Sequence, residues 1–185
     1  MKRAQHETGV MPMPEHVFEE TLKNGAPYRI RPIAPDDVNR LDRLYKSLSP
    51  QSIYFRFMAP LERLPRALVR DLCEVNPERE FALAAEVRQG RGREIIGAAR
   101  WLRETRDPQA AQIMLVVADG WTNLGAGRTL YRRLIPIARE RGIRTMRGLI
   151  LDSNFKMISM LVNSEFTLDT DIQDGLVSFS FNIGD

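Results

Sequence analysis

From residue 16 onward the apolar positions first alternate, then repeat at helical spacing, then alternate again. His16-Val17-Phe18-Glu19-Glu20-Thr21-Leu22-Lys23 and Tyr28-Arg29-Ile30-Arg31-Pro32-Ile33 flank the tight-turn signal Asn24-Gly25, which predicts a hairpin of two short strands. Pro35-Asp36-Asp37 opens a helix with acids in its first turn, where they suit the dipole, and Val38, Leu41, Leu44, Tyr45 and Leu48 fall on one face. Ser49-Pro50 is expected to break that helix. A short amphipathic piece follows over 53–58, and Pro65 opens a third helix through Leu68, Val69, Leu72 and Cys73. From Arg79 the period changes to that of strands. Segments 81–87 and 95–102, joined by Gln89-Gly90-Arg91-Gly92, predict an antiparallel hairpin, and 109–118 reads as a strand buried on both faces. After a loop over 119–124, Leu130, Leu134, Ile137 and Ala138 mark one face of a helix closed by Gly142. Pro136 inside it is expected to remove one backbone bond and kink it. A strand over 144–151, a helix over 154–163 and a half-buried strand over 176–183 complete the order. The pattern is that of a single α/β (α+β) sheet domain over 15–185 without internal repeats. A loose tail is expected over 1–14, where Met11-Pro12-Met13-Pro14 offers no periodicity.

Composition narrows the class. With 43 % hydrophobic and 28 % charged residues in 185, the chain can bury a core, which excludes a wholly disordered, collagenous or coiled-coil protein. The apolar run 113–118 is far too short to span a bilayer, and the charged first twenty residues have no secretory h-region, so no membrane association and a cytoplasmic location are expected. The lone Cys73 cannot form an internal disulfide and reads as a packed helix residue, and no metal site is expected. All but four of the 27 basic residues are arginines, but they interleave with carboxylates along the whole chain, which reads as a solvated surface rather than a nucleic-acid face. One local excess, Arg128, Arg132, Arg133, Arg139, Arg141, Arg144 and Arg147, with Glu140 the only acid among them, offers a place for a small polyanion.

The segment from Ile113 to Leu130 carries chemistry: a buried strand ends, a turn follows, and Gly125-Ala126-Gly127 opens a helix. Glycines at a helix start let a ligand approach the backbone, and the free N–H groups suit phosphate oxygens; the same glycines also serve a tight turn alone. A P-loop would need Lys and Ser or Thr after the second glycine, and Gly125 is followed by Ala126-Gly127. A dinucleotide fingerprint would need Gly or Ala where Leu130 stands. The two histidines, His6 and His16, both lie near the N-terminus, and no Gly-x-Ser-x-Gly elbow exists, so a Ser-His hydrolase is not indicated.

Gly125-x-Gly127 after Val116-Val117-Ala118-Asp119-Gly120-Trp121 resembles the acyl-CoA motif of the GNAT N-acetyltransferases, Gln/Arg-x-x-Gly-x-Gly/Ala. Tyr28 to Asp37 resembles that family's opening strand and helix. Leu48-Ser-Pro-Gln-Ser-Ile-Tyr-Phe-Arg-Phe57 is similar to the branch containing bacterial protein-lysine acetyltransferases, and Asn154-x-x-Met157 with Ser164-Glu165-Phe166 resembles the later Asn-x-x-Met and Leu-Gly-Phe region. The resemblance spans 16–183 and implies a mixed, twisted sheet flanked by helices and splayed between two central parallel strands. It further implies acetyl-CoA as co-substrate and transfer of its acetyl group to a primary amine, a protein lysine or a small amine, by direct attack. Pantetheine would lie along Val116 and Val117, and the pyrophosphate against the loop Thr122, Asn123, Leu124, Gly125, Ala126, Gly127, Arg128 and Thr129, with Arg132 or Arg133 adding charge. Asn154 would contact the cofactor, with Phe155 and Met157 beside its acyl or pantetheine part.

Two positions depart from that pattern. Thr122 stands where the motif has Gln or Arg, and Gln112 where the lysine-acetyltransferase branch carries a glutamate base. A carboxamide has no useful basicity, so Gln112 marks the catalytic position without filling the role, and the proton is left to water or to another acid such as Glu86 or Asp152. The competing expectation is an acyl-CoA-binding regulatory or interaction domain with degenerate catalysis.

Overall fold

The computed structural model describes residues 16–184, and the tail expected over 1–14 lies outside them. The first hairpin forms as β1 (Phe18–Thr21) and β2 (Pro27–Pro32) around Asn24-Gly25. A 3₁₀ turn at Pro35–Asp37 leads into α1 (Val38–Lys46), which buries Leu41, Leu44 and Tyr45. Ser49-Pro50 does more than end α1. Ser49 caps α2 (Pro50–Phe57), its Oγ accepting from the Ser52 N–H at 3.2 Å, and Pro50 occupies the first turn, where a missing N–H costs nothing. The third helix, α3 (Arg66–Asp71), is shorter than expected and leaves Cys73 just beyond it. Cys73 is 1 % exposed and burial pushes its thiol up to about 11, so it packs as a small apolar group.

Strands β3 (Glu80–Gln89) and β4 (Gly92–Arg103) form the long central hairpin, followed by β5 (Ala110–Val117). A 3₁₀ turn at Asp119–Trp121 then leads to α4 (Ala126–Glu140), which runs uninterrupted through Pro136. Strand β6 (Thr145–Leu151), α5 (Phe155–Val162), β7 (Asp169–Gln173) and β8 (Leu176–Asn182) follow. Strand β7 is not foreshadowed by the pattern: all five of its residues are exposed, so it has no buried face to alternate.

The eight strands lie in the order β1-β2-β3-β4-β5-β6-β8-β7, and every neighbouring pair is antiparallel except β5–β6. Helix α4 buries Leu130, Leu134, Ile137 and Ala138 with Phe81, Trp101 and Phe181 on one face of the sheet. On the other face α1–α3 bury Leu41, Leu44, Ile53 and Val69 with Ala84, Ile95 and Val116. None of the helices among the described residues is long and apolar enough to cross a membrane.

Candidate functional site

The parallel pair β5–β6 is short. It holds register only at Ala110↔Thr145, Ala111↔Met146 and Gln112↔Arg147, whereas β4 follows β5 to Val117 and β8 follows β6 to Leu151. Beyond Gln112 the two strands therefore part, and the sheet carries a fork in its middle. Along the β5 side of the fork, the Ala118 N–H donates to Ile96 O at 2.8 Å. By antiparallel alternation Val116 also bonds to β4, and the backbone groups of Leu115 and Val117 face the gap. Val116 is instead a core residue under α1, 6 % exposed. The expectation that 109–118 is buried on both faces thus holds for its start, while Met114, Leu115 and Val117 are half-buried where the fork opens and Gln112 is exposed.

The loop at the mouth of the fork is shaped by two left-handed residues, Asn123 at φ 63° and Gly125 at φ 98°. Asn tolerates that region and glycine enters it freely. Helix α4 starts directly after, and its first backbone bond from the loop is Thr129 N–H to Gly125 O at 3.0 Å. The amides of Ala126, Gly127 and Arg128 consequently lack a carbonyl one turn behind them and point out of the helix start. Gly127 is seated against β5: a Cβ there would meet Val117 Cγ2 at 3.3 Å and Leu115 Cδ2 at 3.5 Å. Thr129 turns its hydroxyl inward to Gly125 O, at 3.2 Å, and Thr122 donates to Asp119 O at 3.0 Å. Burial would raise the Asp119 carboxyl, but the Ser52 hydroxyl and Ser49 N–H bonded to it hold it below the usual carboxylate range, with Lys156 adding charge.

Two lysines that the sequence does not single out meet this loop. The Lys23 N–H donates to Leu124 O at 3.0 Å, which docks the β1–β2 turn on the loop, and its side chain passes 3.7 Å from the place of a Gly125 Cβ. From across the fork Lys156 Nζ donates to Thr122 Oγ1 at 3.2 Å, bringing a cation to the place where the motif has Gln or Arg. The signal for Lys156 was its position two residues after Asn154. Asn154 itself caps α5, its Oδ1 accepting from Met157 N–H at 3.3 Å, and Met157 packs on the α4-side core. Phe155 is 75 % exposed, so it lines no packed surface.

Other expected residues are placed elsewhere. Arg133 bonds Glu20, Nε to Oε1 at 2.8 Å, and lies over the Phe18 ring, so it is not free to meet the loop. The arginine-rich stretch 128–147 does not gather into one anion site. Arg139 donates to Ile183 O, Arg141 to Pro77 O, and Arg147 to Glu104 at 2.7 Å and Asp107 at 3.1 Å. Glu86 is no candidate base: it is fully buried, and its carboxylate receives Arg29 Nε at 2.8 Å and Arg31 Nε at 3.0 Å. Asp152 lies exposed past the end of β6, at the mouth of the fork rather than at Gln112. Gln112 stands at the fork's apex beside Arg147, whose guanidinium is engaged by two carboxylates. Among the described residues no group of three His, Cys, Asp or Glu side chains is placed to hold a metal.

Known proteins share this chain's sequence and shape. The family model described as acetyltransferase (GNAT) family matches residues 41–162. Acetyltransferase PA5475 of Pseudomonas aeruginosa is 28 % identical over 138 residues, covering 75 % of this chain and 74 % of that protein. Acetyltransferase Pat of Mycolicibacterium smegmatis is 27 % identical over 136 residues, and the match spans 40 % of its length. The crystal structure of the GNAT domain of S. lividans PAT superposes with a TM-score of 0.82 at 30 % identity, covering 92 % of this chain and 99 % of that domain.

Proposed function

Because the chain belongs to the acetyltransferase (GNAT) family, we propose that it is an N-acetyltransferase that takes an acetyl group from acetyl-CoA and transfers it to a primary amine. One observation carries the reading: the free amides at the start of α4 and the unpaired backbone of Leu115 and Val117 open onto the same fork. In it the amides of Ala126, Gly127 and Arg128 receive the pyrophosphate, with Arg128, Lys23 and Lys156 adding charge. The absence of a Cβ at Gly127 lets the helix start sit close against Val117 and Leu115 of β5, which brings its amides to the fork. The free edge of β5 pairs with the amide groups of pantetheine much as an added strand would. Acetyl-CoA supplies the activated thioester. A backbone N–H of the β5 edge polarises its carbonyl, and holding the amine beside it contributes up to roughly 7–11 kcal/mol through proximity.

The apex residue sets how the amine loses its proton. Gln112 accepts no proton, and Arg147 beside it holds Glu104 and Asp107, so water carries the proton from the amine to solvent. The same observation favours a second reading, an acyl-CoA-binding regulatory domain that turns over slowly.

Acetyl-CoA at about 100 times its Kd is expected to stabilise the protein by roughly 2.7 kcal/mol in thermal unfolding. Gly127→Glu removes that shift while leaving the protein folded; absence of binding to the wild type overturns both readings. Release of CoA is then followed with polyamines, aminoglycosides and lysine peptides. If Gln112→Glu gains activity by the roughly 10²–10⁴-fold that a general base provides, at unchanged acetyl-CoA affinity, the regulatory reading is favoured. Brisk wild-type turnover that the substitution does not improve selects the enzyme.

A further inference from the structure

The buried carboxylate of Glu86 is the anchor of a second cationic region, on the α1 side of the sheet. Arg29 and Arg31 of β2 bond to it directly, and Arg40 of α1 and Arg93 of β4 approach it at 3.7 and 3.6 Å. Asp37, also fully buried, is shared by Arg31 at 2.6 Å and Arg40 at 3.2 Å. The two buried carboxylates are therefore surrounded by four guanidinium groups. Beyond them Arg88 and Arg91, near the turn of the β3–β4 hairpin, are exposed, and among the described residues they have no hydrogen-bond or ion-pair partner. Further acids nearby are Glu19, the register partner of Arg29 on β1, Asp36, 3.8 Å from Arg40, and Glu94, which strand alternation sends to the opposite face from Arg93.

Arg40, Arg88, Arg91, Gly92 and Arg93 line an open depression of about 600 Å³, and no carboxylate or aromatic ring is among them. Its wall contains an unfavourable pair: Arg88 and Arg93 are register partners on adjacent strands, so like charges stand directly opposite each other. An anion between them converts that repulsion into charge-assisted hydrogen bonds. The depression shares no residue with the glycine-rich loop or the β5 edge. With its cations gathered around one opening rather than strung along a stripe, it suits a small ligand, and with no aromatic ring among these residues phosphate is the group they recognise first.

We propose that this depression is a second anion site, which binds the polyphosphate group of a small molecule apart from the fork. Inorganic tripolyphosphate is the first probe, titrated calorimetrically into the full chain at about 0.15 M salt, where surface charge alone is largely screened. With the fork filled by saturating acetyl-CoA, one equivalent is expected to bind. The double variant Arg88→Gln/Arg91→Gln is expected to weaken it at least about tenfold, with Tm not lowered and acetyl-CoA binding unchanged, since neither side chain supports the fold. Gly127→Glu leaves tripolyphosphate binding intact. A parallel titration with ATP identifies the source: equal affinity points to the phosphates alone, tighter binding to a nucleotide, and both support the site. The proposal falls if millimolar tripolyphosphate gives no binding heat. It falls equally if binding is lost in Gly127→Glu but kept in the double variant. Displacement by single-stranded oligonucleotides with affinity rising with their length would make the face a nucleic-acid surface instead.

Discussion

The two anion sites proposed, one at the glycine-rich loop and one at the arginine-lined hairpin face, are built in opposite ways. At the loop the attraction comes from backbone amides of consecutive residues, aimed by Gly125 at φ 98° and by the start of α4. At the hairpin it comes from side chains of β2, α1, β3 and β4, held in place by two buried carboxylates. Backbone amides are neutral, so the loop stores no repulsion when it is empty. The hairpin gathers more positive than negative charge, and Glu86 and Asp37 must offset it even when nothing is bound. One region depends on conformation, the other on charge balance, and each can be broken without touching the other.

Removing the counter-charge is expected to have the largest effect. Glu86→Gln leaves Arg29 and Arg31, whose side chains are 30 % and 13 % exposed, around a neutral amide. Removing one partner of a buried pair typically costs about 3–5 kcal/mol, and the partial exposure of Arg29 favours the lower end. Urea unfolding measures it, and acetyl-CoA binding by the remaining folded protein should be unaltered. A variant as stable as the wild type would show that solvent already balances these arginines and that the contrast with the loop is false.

The reverse experiment strains the loop and spares the hairpin. Gly125→Ala forces a Cβ into left-handed backbone at a cost of about 1–2 kcal/mol. The space itself is open, with Lys23 Cγ the nearest atom at 3.7 Å. Stability should fall by that amount and acetyl-CoA affinity with it, while tripolyphosphate binding at the hairpin stays. If acetyl-CoA binds as before, the loop's shape is not what aims its amides.

This difference in construction also decides what could be read before the structure. The loop's parts are neighbours in sequence, so Gly125-Ala126-Gly127 after an apolar strand was visible as a unit. The fork was expected only through family resemblance, because strand pairing that stops after Gln112 leaves no mark in the spacing of side chains. The hairpin cluster was illegible in a different way. Arg29, Arg31, Arg40, Arg88 and Arg93 each read as ordinary solvated residues, and the denser run 128–147 stood out instead. One signal was present: Glu86 is the lone charge in the otherwise apolar run 81–87, where a carboxylate survives burial only if paired. Strand β7 had no signal, since an edge strand exposed at every residue has no pattern to show.

The finest test of the comparison is acid, because each region has one carboxylate whose charged form is favoured. Burial would raise Asp37, but hydrogen bonds from Arg31 and the Ala34 N–H outweigh it and hold its carboxyl below the ordinary 3.8. Asp119 near the loop is likewise lowered by Ser52 and Ser49 against the opposing effect of burial. A folded value below the unfolded one means that folding favours the ionised form. The stabilisation is complete above the unfolded value and is lost as pH falls through the folded one. Both residues should therefore steepen the loss of stability below about pH 4, and neither should matter between about pH 6 and 8. They differ in weight. Asp37 is fully buried among guanidinium groups, whereas Asp119 is partly exposed and bonded mainly to neutral donors. Urea midpoints followed from neutral pH into acid should thus flatten more in Asp37→Asn than in Asp119→Asn, each judged against its own neutral value. The opposite ranking would mean that the cap between α2 and the loop, rather than the arginine cluster, is where acid first opens this protein.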